Sequence, residues 1–180
     1  MFMSLLEKRR SIRRFLDRPV EKEKTDLLLE AALRAPSSRG FNPWEFVVVS
    51  DRWMLERLAQ AKEHGSAFLK DAATGIVVCA DSSKSDVWVE DASIATIIIQ
   101  LAAESLGLGT CWIQIRGRAQ APDRTSQDYV AELLRLPPGM MVEAMVAVGY
   151  PGELKAPHPK EGLLWRQVHA QVFGTPYLKP

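Results

Sequence analysis

Residues 87–107, VWVEDASIATIIIQLAAESLG, constrain the fold more than any other stretch of this chain. At 1.5 Å per residue the run is long enough for about 30 Å of helix. From Ile94 to Ala103 it is apolar nearly all round, and a helix without a polar face has to be covered on most sides. A chain of 180 residues is one domain of modest size. Two-sided burial in so small a domain predicts a central helix that also serves a subunit interface.

The rest of the chain arranges itself around that helix. Residues 3–10 read as a short helix leading into a basic block. Pro19 precedes a helix over 21–34, whose leucines and alanines form a broad apolar face and which Pro36 stops. EFVVVS (45–50) reads as a buried strand, with Ser50 or Asp51 capping the next helix. GIVVCAD (75–81) is a second, β-branched strand. Gly107 closes the central helix, and TCWIQI (110–115) follows as a strand. A helix over 126–136 ends at Pro137-Pro138-Gly139, and MVEAMVAVGY (141–150) is the last strand. From Pro151 onward five prolines and no sustained pattern predict an arm, residues 151–180, packed along something else. Interleaved helices and strands predict a single domain over 1–180, of α/β or α+β type, with a mixed sheet flanked by helices.

Composition narrows the function. The formal net charge is +1, and charged residues make up 25% of the chain. That balance argues against a nucleic-acid or membrane surface, either of which would want a basic face. Met1-Phe2-Met3, followed within a few residues by charge, does not read as a secretory leader. No apolar stretch is long enough for a membrane span. Cys79 and Cys111 lie in separate apolar strands without C-x-x-C spacing, as buried free thiols in a reducing cytoplasm would. His64, His158 and His169 are scattered, and no metal site is expected.

Three stretches could carry chemistry. KRRSIRRF (8–15) sets four arginines and a lysine around Ser11. Guanidinium groups offer paired donors that match a phosphate; a solvated charged turn fits the same residues equally well. On a helix or tight turn, Arg9 would neighbour Arg13, and Arg10 would neighbour Arg14. APSSRGFNPWEF (35–46) is rich in turn residues, which makes it first of all a helix-to-strand loop, with backbone donors that a ligand could use. GLGTCWIQ (107–114) contains Gly-x-Gly, but the third glycine of a dinucleotide fingerprint is replaced by Trp112. The order, helix then strand, is also the reverse of that motif. A helix C-cap accounts for both glycines. Ser11, Ser37, Ser38 and Ser93 have no histidine nearby in sequence. Glu90 and Asp91, being adjacent, point in different directions on a helix and make a poor acid/base pair.

Taken in order, RRSIRRF, APSS with NPWEF, VEDASIATIIIQLAAESLGLGTCWIQ and VGYP resemble the nitroreductase family of flavin enzymes over most of the chain. The resemblance implies an α+β sandwich, a homodimer with the long helix at its interface, and FMN held between the subunits. It implies that Arg9, Arg10 and Ser11 meet the FMN phosphate and ribityl chain, and that Arg13 reaches the pyrimidine side of the ring. Pro36, Ser37 and Ser38 would come from the partner subunit, with Asn42 meeting the ring. Trp112, Ile113 and Gln114 would lie near the reactive N5, and Lys160, or else His158, would return to the phosphate. The implied activity passes hydride from NAD(P)H through flavin N5 to a small acceptor such as a nitro compound or quinone, in ping-pong fashion, with no side-chain catalyst required. A non-catalytic FMN-binding or redox-sensing protein of the same fold is the alternative. Two positions depart from the family pattern: Gly40 stands where many members carry asparagine, and Gln114 puts a side chain into the ring-facing segment.

Overall fold

The computed structural model describes residues 2–177. Its centre is an antiparallel sheet of four strands in the order β1-β2-β6-β3. These are β1 (Trp44–Val49), β2 (Thr74–Asp81), β3 (Gly109–Gln114) and β6 (Met140–Gly149). The α+β class is as expected. The three ladders are antiparallel, however, where a mixed sheet was expected, and among the described residues parallel pairing is confined to a bridge between Ser11 and Thr110. A small hairpin, β4 (Ala119–Ala121) with β5 (Arg124–Thr125), stands apart. Its strands are too short to carry a periodic signal in the sequence.

Helices cover both faces of the sheet. α2 (Lys22–Leu33) and α4 (Trp88–Ser105) pack on one side, where Leu28, Ala32, Ala92, Ile99 and Ala103 meet Ile76, Val78, Val146 and Val148. α3 (Arg52–Leu58) and α5 (Ser126–Leu134) pack on the other, where Leu55, Leu58 and Val130 meet Val77, Ile113 and Met145. Asp51 caps α3, its side chain accepting from the Met54 N–H at 2.8 Å. α4 is the long apolar helix, and it is covered within the chain on one side only. Ile94 and Ile97 stay 38% and 39% exposed. Leu108 N–H reaches the Ala103 carbonyl and Gly107 N–H that of Glu104, with Gly107 at φ +72, the left-handed stop the glycine permits.

The short α1 (Phe2–Lys8) ends on Lys8, the first residue of the basic block. Beyond Arg9 the block is not helical. It crosses the ends of β3 and β6 as an extended segment: Ile12 N–H donates to Thr110 O at 2.8 Å, and Leu16 N–H to Tyr150 O at 2.9 Å. Glycines make this approach possible. Cβ atoms at Gly109 and Gly149, which face each other across the ladder, would lie 3.0 Å from Ile12 and 2.9 Å from Phe15 respectively. At Gly149 the same Cβ would also press on backbone, the Ala73 nitrogen at 3.3 Å. Gly149→Ala is therefore expected to cost about 1–3 kcal/mol through overpacking. Urea denaturation measures it, and an unchanged midpoint would contradict this account of the docking.

Candidate functional site

The extended conformation sorts the basic residues, because neighbours along extended chain point to opposite sides. Ser11 and Arg13 fall on one side, and Arg9, whose N–H still closes the last turn of α1 on Leu5 O at 2.8 Å, reaches the same place. All three act on the Cys111 thiol, with Lys155 joining them from the arm. Burial, the larger effect, holds that thiol above its ordinary range, while Arg13, the Ser11 hydroxyl, Lys155 and Arg9 pull it down. The helical pairing of Arg9 with Arg13 and Arg10 with Arg14 does not occur. Arg10 is committed elsewhere, donating to the Ala156 carbonyl.

Side-chain and backbone groups of the cluster are held by their neighbours. Arg9 Nη1 lies 3.5 Å from Oε1 of Gln100, a buried residue of α4. Lys155 Nζ donates to the Ser11 carbonyl at 2.6 Å. Glu153 Oε1 accepts from Arg13 N–H at 2.6 Å and Arg14 N–H at 3.2 Å. The Arg13 amide thereby holds the Glu153 carboxyl below its usual range, with Lys155 and Arg14 adding to the effect. The Arg13 guanidinium sits 5.7 Å from the centre of the Phe68 ring. Lys160 lies on an exposed turn at Lys160–Gly162, and the arm residue bonded at Ser11 is Lys155. His158 is tied by its N–H to Glu7 O at 2.9 Å.

β3 runs away from the cluster. Thr110 turns its backbone outward to Ile12, so Cys111 and Ile113 turn theirs to β6, while Trp112 and Gln114 turn theirs to the open edge. Bonding of Ile115 N–H to Glu143 O keeps the same alternation. Ile113 is thus not presented at the edge: its side chain is in the core and its backbone in the ladder. The Trp112 indole donates to Gln114 Oε1 at 2.8 Å. Gln114 Nε2 donates to Arg116 O and to Glu143 Oε1, each at 3.2 Å.

The loop after α2 holds Pro36, Ser37, Ser38 and Asn42. It is tight, with Arg39 at φ +54, Gly40 at +70 and Asn42 at +46. The glycine at position 40 suits its left-handed conformation at no steric cost. Ser37 Oγ accepts from Asn42 N–H at 2.9 Å and donates to Asn42 Oδ1 at 2.8 Å. Asp91 anchors the loop: only 2% exposed, it accepts from Ser38 N–H at 2.8 Å and from Ser85 Oγ at 3.0 Å. Within one chain this loop and the basic segment do not meet. Asp91 and Gln100 lie on opposite sides of α4 and about 13 Å apart along it.

Sequence reasoning missed Gln100, Asp91, Glu143, Glu153 and Lys155. For Gln100 and Glu143 the available signal was a lone polar residue inside an apolar run. Asp91 gave none beyond its adjacency to Glu90, and it is an anchor, not half of an acid/base pair.

The arrangement is an α+β sandwich in which a cluster of cations and a hydroxyl stands at one end of an open strand edge. Comparison with known proteins places it. The family model described as "Nitroreductase family" matches residues 6–63 and 52–150. An FMN-dependent nitroreductase structure from Clostridium difficile R20291 superposes with a TM-score of 0.94 at 46% identity, covering 95% of this chain and 99% of that one. A relative in Archaeoglobus fulgidus, provisionally named NADH dehydrogenase/NAD(P)H nitroreductase, is 38% identical over 157 residues, 85% of this chain and 87% of its own. A structure provisionally named nitroreductase, in complex with FMN, from Desulfovibrio desulfuricans has a TM-score of 0.73 at 29% identity, covering 91% of this chain and 95% of that one. The chain belongs to the nitroreductase family.

Asp91→Ala strands the Ser38 N–H and the buried Ser85 hydroxyl and is expected to cost about 2 kcal/mol. The check is the urea midpoint, together with trypsin cleavage at Arg39, which should quicken. Unchanged stability and cleavage would show that the loop is held by other means.

Proposed function

We propose that this chain is an FMN-dependent NAD(P)H oxidoreductase that works as a homodimer on a small acceptor such as a nitro compound or quinone. The observation that carries the proposal is the docking of Ser11 on Thr110, which makes the cation cluster and the edge of β3 one continuous surface. From Thr110 to Gln114 the strand runs about 14 Å. A phosphorylated ribityl chain joined to a flat tricyclic ring suits such a length. The donor set fits as well: cations and a hydroxyl for a dianion at one end, backbone N–H groups of Trp112 and Gln114 at the other.

When bound, FMN supplies reversible two-electron chemistry, taking a hydride from NAD(P)H and passing reducing equivalents on. The protein's part is positioning and electrostatics. Arg9 and Lys155 hold the phosphate, and Ser11 adds a hydroxyl donor. Arg13 would offer positive charge toward the ring that such a cofactor carries. The edge N–H groups of Trp112 and Gln114 would be the donors available to that ring. One groove that admits NAD(P)H and then the acceptor gives ping-pong kinetics.

A second copy completes the groove. The Pro36–Asn42 loop cannot reach its own chain's cation cluster, whereas a partner's loop, offering Ser37, Ser38 and the Asn42 amide, can. Ile94 and Ile97 on α4 supply an apolar face for that partner. The arm supports the same assembly: Leu163, Leu164, Val172 and Phe173 are all exposed in the single chain. Two buried free thiols suit a reducing cytoplasm.

A yellow purified protein that bleaches on anaerobic NADPH or NADH is the expected result. A protein that stays yellow would instead be a flavin store, and one that takes up no FMN would overturn the proposal. Arg9→Ala should weaken FMN binding by roughly 1.5–3 kcal/mol, the worth of a hydrogen bond to a charged group, or about 10- to 150-fold in Kd. Fluorescence titration of the apoprotein measures it, and full retention of FMN would remove Arg9 from the phosphate.

A further inference from the structure

We propose that Glu143 is a positioning residue that fixes the Gln114 amide and, through it, the Trp112 indole. Glu143 sits where β6 departs from regular pairing. Val78 pairs with Ala144 and Cys79 with Val142, so Glu143 is the extra residue of a bulge. A bulge re-aims a side chain, and this one is aimed at Gln114. Only 3% of Glu143 is exposed, although it stands in the otherwise apolar run MMVEAMVAV.

The chemistry of the three groups fixes their orientation. An indole N–H can only donate, so Gln114 must turn its oxygen to Trp112. Its NH₂ then needs acceptors, and Glu143 Oε1 and the Arg116 carbonyl are the two it finds. Without the carboxylate one donor is stranded, and the amide is held only by the Trp112 indole and the Arg116 carbonyl. A charged acceptor also polarises the amide and strengthens the bond beyond it. Trp112, Gln114 and Glu143 therefore act as one unit, which presents a constant pattern at the edge of β3. The functional consequence rests on the proposal above that this edge faces the flavin ring.

Few charged groups bear on Glu143. Arg116, on the turn after β3, favours its ionised form, and Glu90, on the first turn of α4, opposes it. Burial is the largest influence and pushes the carboxyl up; the hydrogen bond from Gln114, next in size, pulls it down, and the net direction is upward. Its second oxygen, Oε2, is buried with no hydrogen-bond partner among the described residues, a place for the proton once the group is neutral. A group raised in this way favours the folded state fully below the ordinary glutamate range. That contribution is lost as pH rises through the raised value.

The test is a ¹H–¹⁵N spectrum of the indole N–H groups in the full chain, with and without added FMN. There are five tryptophans, and Trp112→Phe identifies the resonance of interest. In the wild type the Trp112 signal should move with pH, with a midpoint above the ordinary glutamate range. In Glu143→Gln it should stay near the wild-type position and cease to titrate. In Glu143→Ala it should shift while the other indoles stay in place. With FMN supplied, Glu143→Ala should lower kcat about tenfold, the effect of one lost hydrogen bond, with Glu143→Gln recovering most of it. A Trp112 signal indifferent to Glu143→Ala, or still titrating in Glu143→Gln, would overturn the proposal; in the latter case Glu90→Gln would abolish the titration. Should Glu143→Ala fail to fold, the Glu143→Gln titration still decides. If the wild type takes up no FMN, the functional proposal fails, and the indole signal reports on the Glu143 unit regardless.

Discussion

The contact between Ser11 and Thr110 is the joint on which the rest depends. By docking as an extended segment on the end of β3, the basic block changes from a run of charge into a sorted pair of sides. Arg9, Ser11 and Arg13 look one way with Lys155, while Arg10 is taken up by the arm. The same contact aligns that cluster with the edge groups of Trp112 and Gln114. Small residues make it possible, because neither Ile12 nor Phe15 could come so close to a strand bearing side chains at positions 109 and 149.

Buried polar groups hold the parts in register. Gln100 meets Arg9 from one side of α4, and Asp91 ties the Pro36–Asn42 loop to the other. Each is a costly residue to bury, and each positions a candidate site element. Glu143 follows the same pattern on β6. α4 separates the loop from the cation cluster, and its uncovered isoleucines, Ile94 and Ile97, lie on the face that the proposed partner would share.

Much of the fold was legible in the sequence. The periodicity and length of residues 87–107, the Gly107 stop and the β-branched strands all reflect local preferences that tertiary packing reinforces. The basic block was legible in its residues but not in its shape. Helical spacing and extended alternation pair different arginines, and only docking onto Thr110 decides between them. Strand direction was equally out of reach, since pairing order is a long-range property. Lys155 and Glu153 could not be preferred over Lys160 because the path of a proline-rich arm depends on what it lies against. Glu143 and Gln100 left a trace, a polar residue inside an apolar run, which becomes meaningful once the neighbour it serves is known.

The central claim is that one ligand spans the cation cluster and the edge of β3. Hydrogen–deuterium exchange of the full chain, with and without FMN, tests it directly. Protection should rise together in residues 9–13, in 110–115 and in the 36–42 loop, and leave the 119–125 hairpin unchanged. Protection confined to the basic block, with the edge of β3 exchanging as before, would contradict it.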